Sequence, residues 1–230
     1  MTVNLPPIAQ IDWRDTNRLI PSRYPTVGIL DRVASPEDLE AVLALECLTD
    51  DRVRAEAGQI HRLPKQEWVL GQPMASVIMA SFCHPRLSGG RFNSAHRGAW
   101  YAGRALETAQ REVIYHRGRE LAEVGLLEAR MEMRLYLADF TGDFHDVREG
   151  WDQVHEPDHY TASQQLANVL GEAGSLGIAY RSVRHRGGEC VACFRPLAVK
   201  NVRPARHFAF VWQGAPEPLV IPLGDHRTAI

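Results

Sequence analysis

Between residues 131 and 137 the chain alternates strictly: Met131, Met133, Leu135 and Leu137 are separated by Glu132, Arg134 and Tyr136. A period of two puts the first set on one face of a strand and the second on the other, so this segment commits the chain to a sheet. The elements around it follow no regular order. Trp100-Tyr101-Ala102 reads as a short strand after Gly98. RALETAQREVIYHRG reads as a helix with Leu106, Ala109 and Val113 on one stripe and Gly118 as its stop. The apolar run 74–82 reads as a buried strand. Thr161-x-x-Gln164 is a capping-box pattern that opens a helix through Leu170, closed by Gly171. Ile178, Tyr180 and Ser182 share one face of a strand, Gly187-Gly188 turns the chain into another over 191–199, and 208–212 reads as the last. Strands outnumber helices without βαβ alternation, which predicts an α+β fold, a mixed sheet core with flanking helices.

The N-terminal part reads differently. Residues 1–56 are expected to form an extension, and the stretch 1–34, rich in Pro and Arg, to wrap with little regular structure. Ser35-Pro36-Glu37-Asp38 then supplies an N-cap, a Pro at the first helical position and acids in the first turn, predicting a helix over 36–49. The main domain is expected over 57–230, including a C-terminal tail.

Composition excludes several classes. With 45% hydrophobic and 23% charged residues in 230, wholesale disorder is out. Lys and Arg number 26 against 28 Asp and Glu, a net charge of −2, so the chain does not neutralise a phosphate backbone by bulk charge and direct nucleic-acid binding is not expected. The run 74–82 is far shorter than the ~20 residues a membrane helix needs. The opening MTVNLPPIAQID has neither the basic nor the apolar region of a secretory signal, so a cytoplasmic protein is expected. Cysteine usage agrees: Cys47 and Cys83 stand alone, and Cys190 and Cys193 form a single C-x-x-C. A structural zinc site needs a second pair, and CVACF is flanked by strand formers, so two buried strand cysteines are expected.

Three further patterns carry less than their letters suggest. His155-Glu156-Pro157-Asp158-His159 matches the H-E-x-x-H metalloprotease signature, which needs both histidines on one helical face. Pro157 removes a backbone donor and disfavours helix before it, so a polar surface loop and no metal are expected. Gly171, Gly174 and Gly177 lack the dinucleotide-loop spacing and follow a helix instead of preceding one. The run Arg181, Arg184, His185 and Arg186 suits an anion in a pocket better than a nucleic-acid groove.

Chemistry concentrates in three segments. Gly89-Gly90-Arg91-Phe92-Asn93 is a glycine turn that delivers an Arg and an Asn beside a strand. Trp100-Tyr101-Ala102-Gly103 leads into a helix carrying Glu112 at the edge of its apolar stripe, next to the small Ala105 and Ala109, where a carboxylate is expected to be half-buried. Tyr180-Arg181-Ser182 leads into Gly187-Gly188. Singly, each polar residue has a bland reading: a surface ion pair for Arg91, a solvated helix residue for Glu112, a strand-end hydroxyl for Ser182.

Together, GGRFN, WYAG, ETAQRE and GIAYRSVRHRGGECVACF resemble the RES domain, the toxin half of RES–Xre toxin–antitoxin pairs, over about residues 57–200. The resemblance puts the family's Arg, Tyr, Glu and Ser on Arg91, Tyr101, Glu112 and Ser182, with a further Arg matched to Arg62. It implies a fold like the ADP-ribosyltransferases and an enzyme that consumes NAD+, cleaving the nicotinamide–ribose bond. In that reading Glu112 stabilises the oxocarbenium-like centre and holds a ribose hydroxyl, and Arg91, assisted by Arg62, binds diphosphate or ribose. Tyr101 stacks on the nicotinamide or ribose, Ser182 donates to a phosphate or to the nicotinamide side, and Asn93 joins the binding residues. No metal is implied. The implied partner is an Xre-type antitoxin with a DNA-binding helix-turn-helix. The acceptor of ADP-ribose stays open among a protein side chain, phosphate and water. The other reading is a RES-like module that binds a nucleotide or partner without turnover.

Overall fold

A computed structural model describes residues 5–24, 28–46 and 60–224. Seven strands form one mixed sheet: β1 (Ile8–Pro21), β2 (Trp100–Gly103), β3 (Glu128–Asp146), β4 (Gly177–Arg181), β5 (Glu189–Cys193), β6 (Lys200–Gln213) and β7 (Leu219–Leu223). Among the described residues four α-helices flank it: α1 (Pro36–Glu46), α2 (Ala75–Cys83), α3 (Leu106–Glu123) and α4 (Thr161–Glu172). The fold is α+β. Among the described residues no helix is long and apolar enough to cross a membrane.

The strand order is β1-β2-β5-β4-β3-β6-β7, and β1 also pairs with β3. That extra pairing closes β1, β2, β5, β4 and β3 into a ring, with β6 and β7 extending from β3. All ladders are antiparallel except the short β3–β4 contact at His145↔Ile178 and Asp146↔Ala179. The alternation at 131–137 marks the middle of β3, whose 19 residues serve three neighbours.

The N-terminal segment corrects the expectation of little regular structure. It is β1, a full partner of β3 from Ile8↔His145 to Pro21↔Met133. A bulge between Trp13 and Thr16, with Asp15 at φ 54, shifts the register and interrupts the alternation. Buried Thr16 there donates to the Ala138 carbonyl at 2.6 Å. The chain on either side of residue 56 therefore builds one sheet.

Other elements differ from expectation for identifiable reasons. The run 74–82 is helical: α2 buries Ala75, Val77, Ile78, Met79, Phe82 and Cys83, and an apolar run buried on nearly every side has no period to betray it. The Ser35 hydroxyl accepts from the Asp38 N–H at 3.1 Å, so α1 starts as expected; residues 47–49 of the expected helix, and Cys47, lie outside the described residues. Helix α3 passes through Gly118 and ends at Gly125 (φ 69), where Gly125 N–H reaches Ala122 O and Leu126 N–H reaches Leu121 O. Helix α4 passes Gly171 and ends the same way at Gly174 (φ 82). Both are Schellman stops, in which a left-handed glycine lets the chain return its N–H groups to the last turn. The Thr161–Gln164 capping box does not form. Tyr160 takes the N-cap position, and the Gln164 amide donates instead to Ser88 O (3.0 Å) and Gly90 O (2.9 Å). Strand β5 stops at Cys193, β6 begins at Lys200, and β7 was not foreseen.

Candidate active site

Glu112 sits on α3, and Ser182 follows the last residue of β4. The Ser182 hydroxyl donates to Glu112 Oε1 at 2.6 Å and accepts from the N–H groups of Arg184 (3.1 Å) and His185 (3.0 Å). Ser182 is buried, and its own N–H is bonded to Gly188 O, so the turn 182–188 is a fixed mount for the carboxylate. The hydroxyl's donor and both acceptor sites are used within the protein.

Tyr101 stands on β2, paired with Ala192 of β5. Its hydroxyl accepts from the Phe92 N–H and donates to Asn93 Oδ1, both at 2.8 Å. Burial keeps the phenol far above its ordinary range, so it is a neutral donor. Asn93 Nδ2 donates to Ser94 O (2.7 Å) and Arg97 O (3.1 Å), so Asn93 locks the glycine turn onto Tyr101. Gly90 is needed for this approach: a Cβ there would lie 2.5 Å from Asn93 Oδ1 and 2.8 Å from the Tyr101 hydroxyl.

Arg91 is buried at 9% exposure, and its guanidinium is already occupied. It donates to Val154 O (3.2 Å), Glu156 O (2.7 Å) and Pro157 O (3.4 Å), and lies 4.6 Å from the Tyr160 ring centroid. In this structure it pins the loop that carries the HEPDH letters. Arg62, exposed in a short turn at Ile60–Arg62, is not brought to Glu112. Its charge is felt at Cys83 and His84.

A cavity of about 1040 Å³ opens beside these groups. It reaches the upper end of the ~300–1,000 Å³ typical of small-molecule sites. Glu112, Tyr101 and Asn93 line it, whereas Arg91 and Ser182 stand behind the wall. Glu112 is the one carboxylate among the described lining residues, against Arg18, Arg23, Arg86 and Arg117. Leu19, Ile20, Leu30, Ile60, Val77 and Met79 supply an apolar portion. The walls thus combine cationic, apolar and single-carboxylate surfaces, a combination that suits an anionic molecule with a planar ring.

Two lining residues were not singled out in the sequence. Arg18 projects from β1, donates to Tyr101 O at 3.0 Å and lies 4.8 Å from the Trp100 ring centroid. Burial pulls it down to about 10, and its Nε is enclosed without a partner. It is a desolvated cation with donor capacity to spare. The only sequence signal was one Arg before Leu19-Ile20, in a strand hidden by its bulge. His116 lies one helical turn beyond Glu112, a spacing that was available to be read.

The remaining motifs serve structure. Residues 155–160 form a loop in which His155 Nδ1 contacts Trp151 O at 2.9 Å. Among the described residues no three His, Cys, Asp or Glu side chains are grouped to hold a metal ion. Cys190 and Cys193, three apart on β5, are both buried with free thiols raised by burial. The basic run does not gather on one anion: Arg181 donates to Asp152 Oδ1 at 2.5 Å, and Arg184 binds Pro157 O and stacks on Tyr115. Arg181, Ser182 and Arg186 instead line a second, smaller cavity of about 450 Å³.

The RES domain family profile matches residues 59–213, and the chain belongs to that family. It is also similar to the uncharacterized protein y4oC of Sinorhizobium fredii, 24% identical over 214 residues, covering 90% of this chain and 87% of that one. Among solved structures it is similar to a chain in the crystal structure of the M. tuberculosis MbcT-MbcA toxin-antitoxin complex. That match has 9% identity and a TM-score of 0.46 over 86% of this chain and 85% of the other.

Proposed function

We propose that the chain is the toxin of a bacterial toxin–antitoxin pair, acting in the cytoplasm as an enzyme that consumes NAD+. The nicotinamide–ribose bond breaks, and ADP-ribose passes to a protein side chain, phosphate or water. Membership of the RES family supports the class of reaction. The observation that carries the reading is the Glu112 carboxylate, fixed by Ser182 at 2.6 Å on the wall of a cationic cavity large enough for a dinucleotide.

Loss of nicotinamide leaves an oxocarbenium-like ribose, and a fixed carboxylate stabilises that charge without having to reorganise. The diphosphate lies toward the lining arginines, with Arg18 the most desolvated of them. Tyr101 offers a ring face on the cavity wall. Arg91 and Ser182 act by position, holding the loop and the carboxylate. The partner in this reading is an Xre-type antitoxin that carries the DNA-binding function, and the toxin itself touches no nucleic acid.

Nicotinamide release from NAD+ by the purified chain tests this, with Glu112→Gln alongside and phosphate present or absent. Release that disappears in the variant is the expected result, and its phosphate dependence names or excludes that acceptor. No release, and no label transferred from NAD+ in cell extract, would reduce the chain to a binding module.

A further inference from the structure

His116 lines the same cavity as Glu112, four residues along α3 and therefore on the same helical face. Its ring packs edge-on to Tyr115 with centroids 5.3 Å apart, and among the described residues neither ring nitrogen has a hydrogen-bond partner. The groups that bear on it come from four places. Arg86 lies in the loop after α2, Arg91 in the glycine turn, Arg184 in the turn after β4, and Arg117 on its own helix. Glu120 pairs with both Arg86 (2.9 Å) and Arg117, while Asp158 engages Tyr115 and Arg184. Burial, reinforced by these four guanidiniums, pulls the imidazole down to about 4. On the cavity wall it is a neutral base whose ring nitrogens have no partner among the described residues.

A neutral imidazole one turn from the carboxylate makes no hydrogen bond among the described residues, and proton transfer is a task the proposed reaction leaves unassigned. We propose that His116 accepts the proton of the attacking group, and that the anionic diphosphate of the substrate activates it by offsetting the surrounding guanidinium charge. This rests on the NAD+ reading above. The acceptor oxygen bonds to C1′ of the nicotinamide ribose. The C1′–N bond breaks with its electron pair returning to the pyridinium ring, giving neutral nicotinamide. The acceptor's O–H proton passes to His116 and then to solvent. Glu112 stabilises the charged ribose throughout. The division of labour follows from the surroundings: Glu112 is held by a hydroxyl donor, whereas the His116 ring nitrogens have no hydrogen-bond partner among the described residues.

The test uses the full chain and reads two quantities. An NMR titration follows the His116 imidazole, assigned by its loss in His116→Gln, with and without saturating ADP as the anionic probe. The midpoint should rise by about one unit or more when ADP binds; a midpoint that stays put with ADP bound overturns the proposal. The pH dependence of nicotinamide release is then compared between wild type and His116→Gln. The variant should lose about 10²-fold in kcat with KM for NAD+ nearly unchanged, and lose the acid limb assigned to the imidazole. An active wild type whose His116→Gln variant keeps its kcat and pH profile defeats this inference and leaves the NAD+ reading intact. A wild type that releases no nicotinamide defeats both.

Discussion

The Ser182 hydroxyl reaches Glu112 Oε1 at 2.6 Å across 70 residues of sequence, joining the end of β4 to the cavity face of α3. The same oxygen accepts two backbone N–H groups of the turn, so one side chain both closes the turn and aims the carboxylate. Removing it has two separable effects. Ser182→Ala orphans two N–H groups and should cost about 1–2 kcal/mol of stability, read by denaturant unfolding. It also frees the carboxylate to rotate, and nicotinamide release should fall about 10- to 100-fold. A variant that loses stability but keeps its rate would reduce Ser182 to a turn cap.

Glu112→Gln changes charge at nearly constant shape. The amide oxygen can still accept from Ser182, so stability should move by less than about 1 kcal/mol. Rate should fall about 10²- to 10³-fold, the usual cost of removing one charge-stabilising contact from a transition state. Folding stability and single-turnover rate, measured on the same preparation, separate the two.

Arg91 presents a choice between contact and position. Its three hydrogen bonds go to carbonyls of residues 154–157, so Arg91→Ala should destabilise the fold by about 1–3 kcal/mol, because the buried Val154 carbonyl and two partly buried ones lose a charged donor. ADP affinity, measured on the folded fraction by calorimetry, should change less than about threefold. A tenfold loss of affinity with unchanged stability would instead place Arg91 on the ligand.

Arg18 predicts the opposite pattern. It is a half-buried cation whose Nε is enclosed without a hydrogen-bond partner, and holding charge away from water costs stability. Arg18→Met, which keeps the stem and removes the charge, should leave stability unchanged or raise it. ADP binding should weaken about tenfold or more. The two arginines thus form a crossed pair of variants, one moving stability and the other affinity.

How much of this was legible depended on whether local pattern and tertiary role agreed. The alternation at 131–137 survives in β3, where Met133 and Leu135 are buried on one face and Tyr136 on the other, and Glu112 at the edge of its stripe is half-buried as its spacing implied. β1 was hidden because a bulge places Arg14, Asp15, Thr16 and Asn17 in succession, and no period-two reading spans them. The run 74–82 failed for the reverse reason: burial on nearly every side erases helical period. Gly118 and Gly171 looked like stops, but a glycine ends a helix where φ turns positive, and that happens at Gly125 and Gly174. Within the site, residue types were readable and contacts were not. The Arg91 guanidinium meets the carbonyls of the loop 154–157, while Arg18, outside the matched segment 59–213, faces the cavity.

The last prediction concerns acid. His116 and His155 are both held below the ordinary imidazole value of 6.5, in each case chiefly by burial. His155 contacts Trp151 O through Nδ1 and encloses an unpartnered Nε2, so a second proton there would meet no acceptor. The folded state therefore binds fewer protons than the unfolded chain below pH 6.5. Their contribution is fully present above that pH and is lost as the pH falls from about 6.5 toward about 4, the value for His116. For His116 the loss is at most about 3 kcal/mol. The carboxylates Asp146, held low by Arg148, and Glu189, held low by Arg104 and Arg148 against its burial, weaken the fold only at lower pH, as they take up protons. Urea unfolding at pH 7, 6 and 5 should show stability falling across that window, with a shallower slope in His116→Gln and again in His155→Gln. Saturating ADP should flatten the wild-type slope, because an anion in the cavity makes the protonated imidazole tolerable. A wild-type stability constant between pH 7 and 5 would mean that these histidines are not held neutral by the fold.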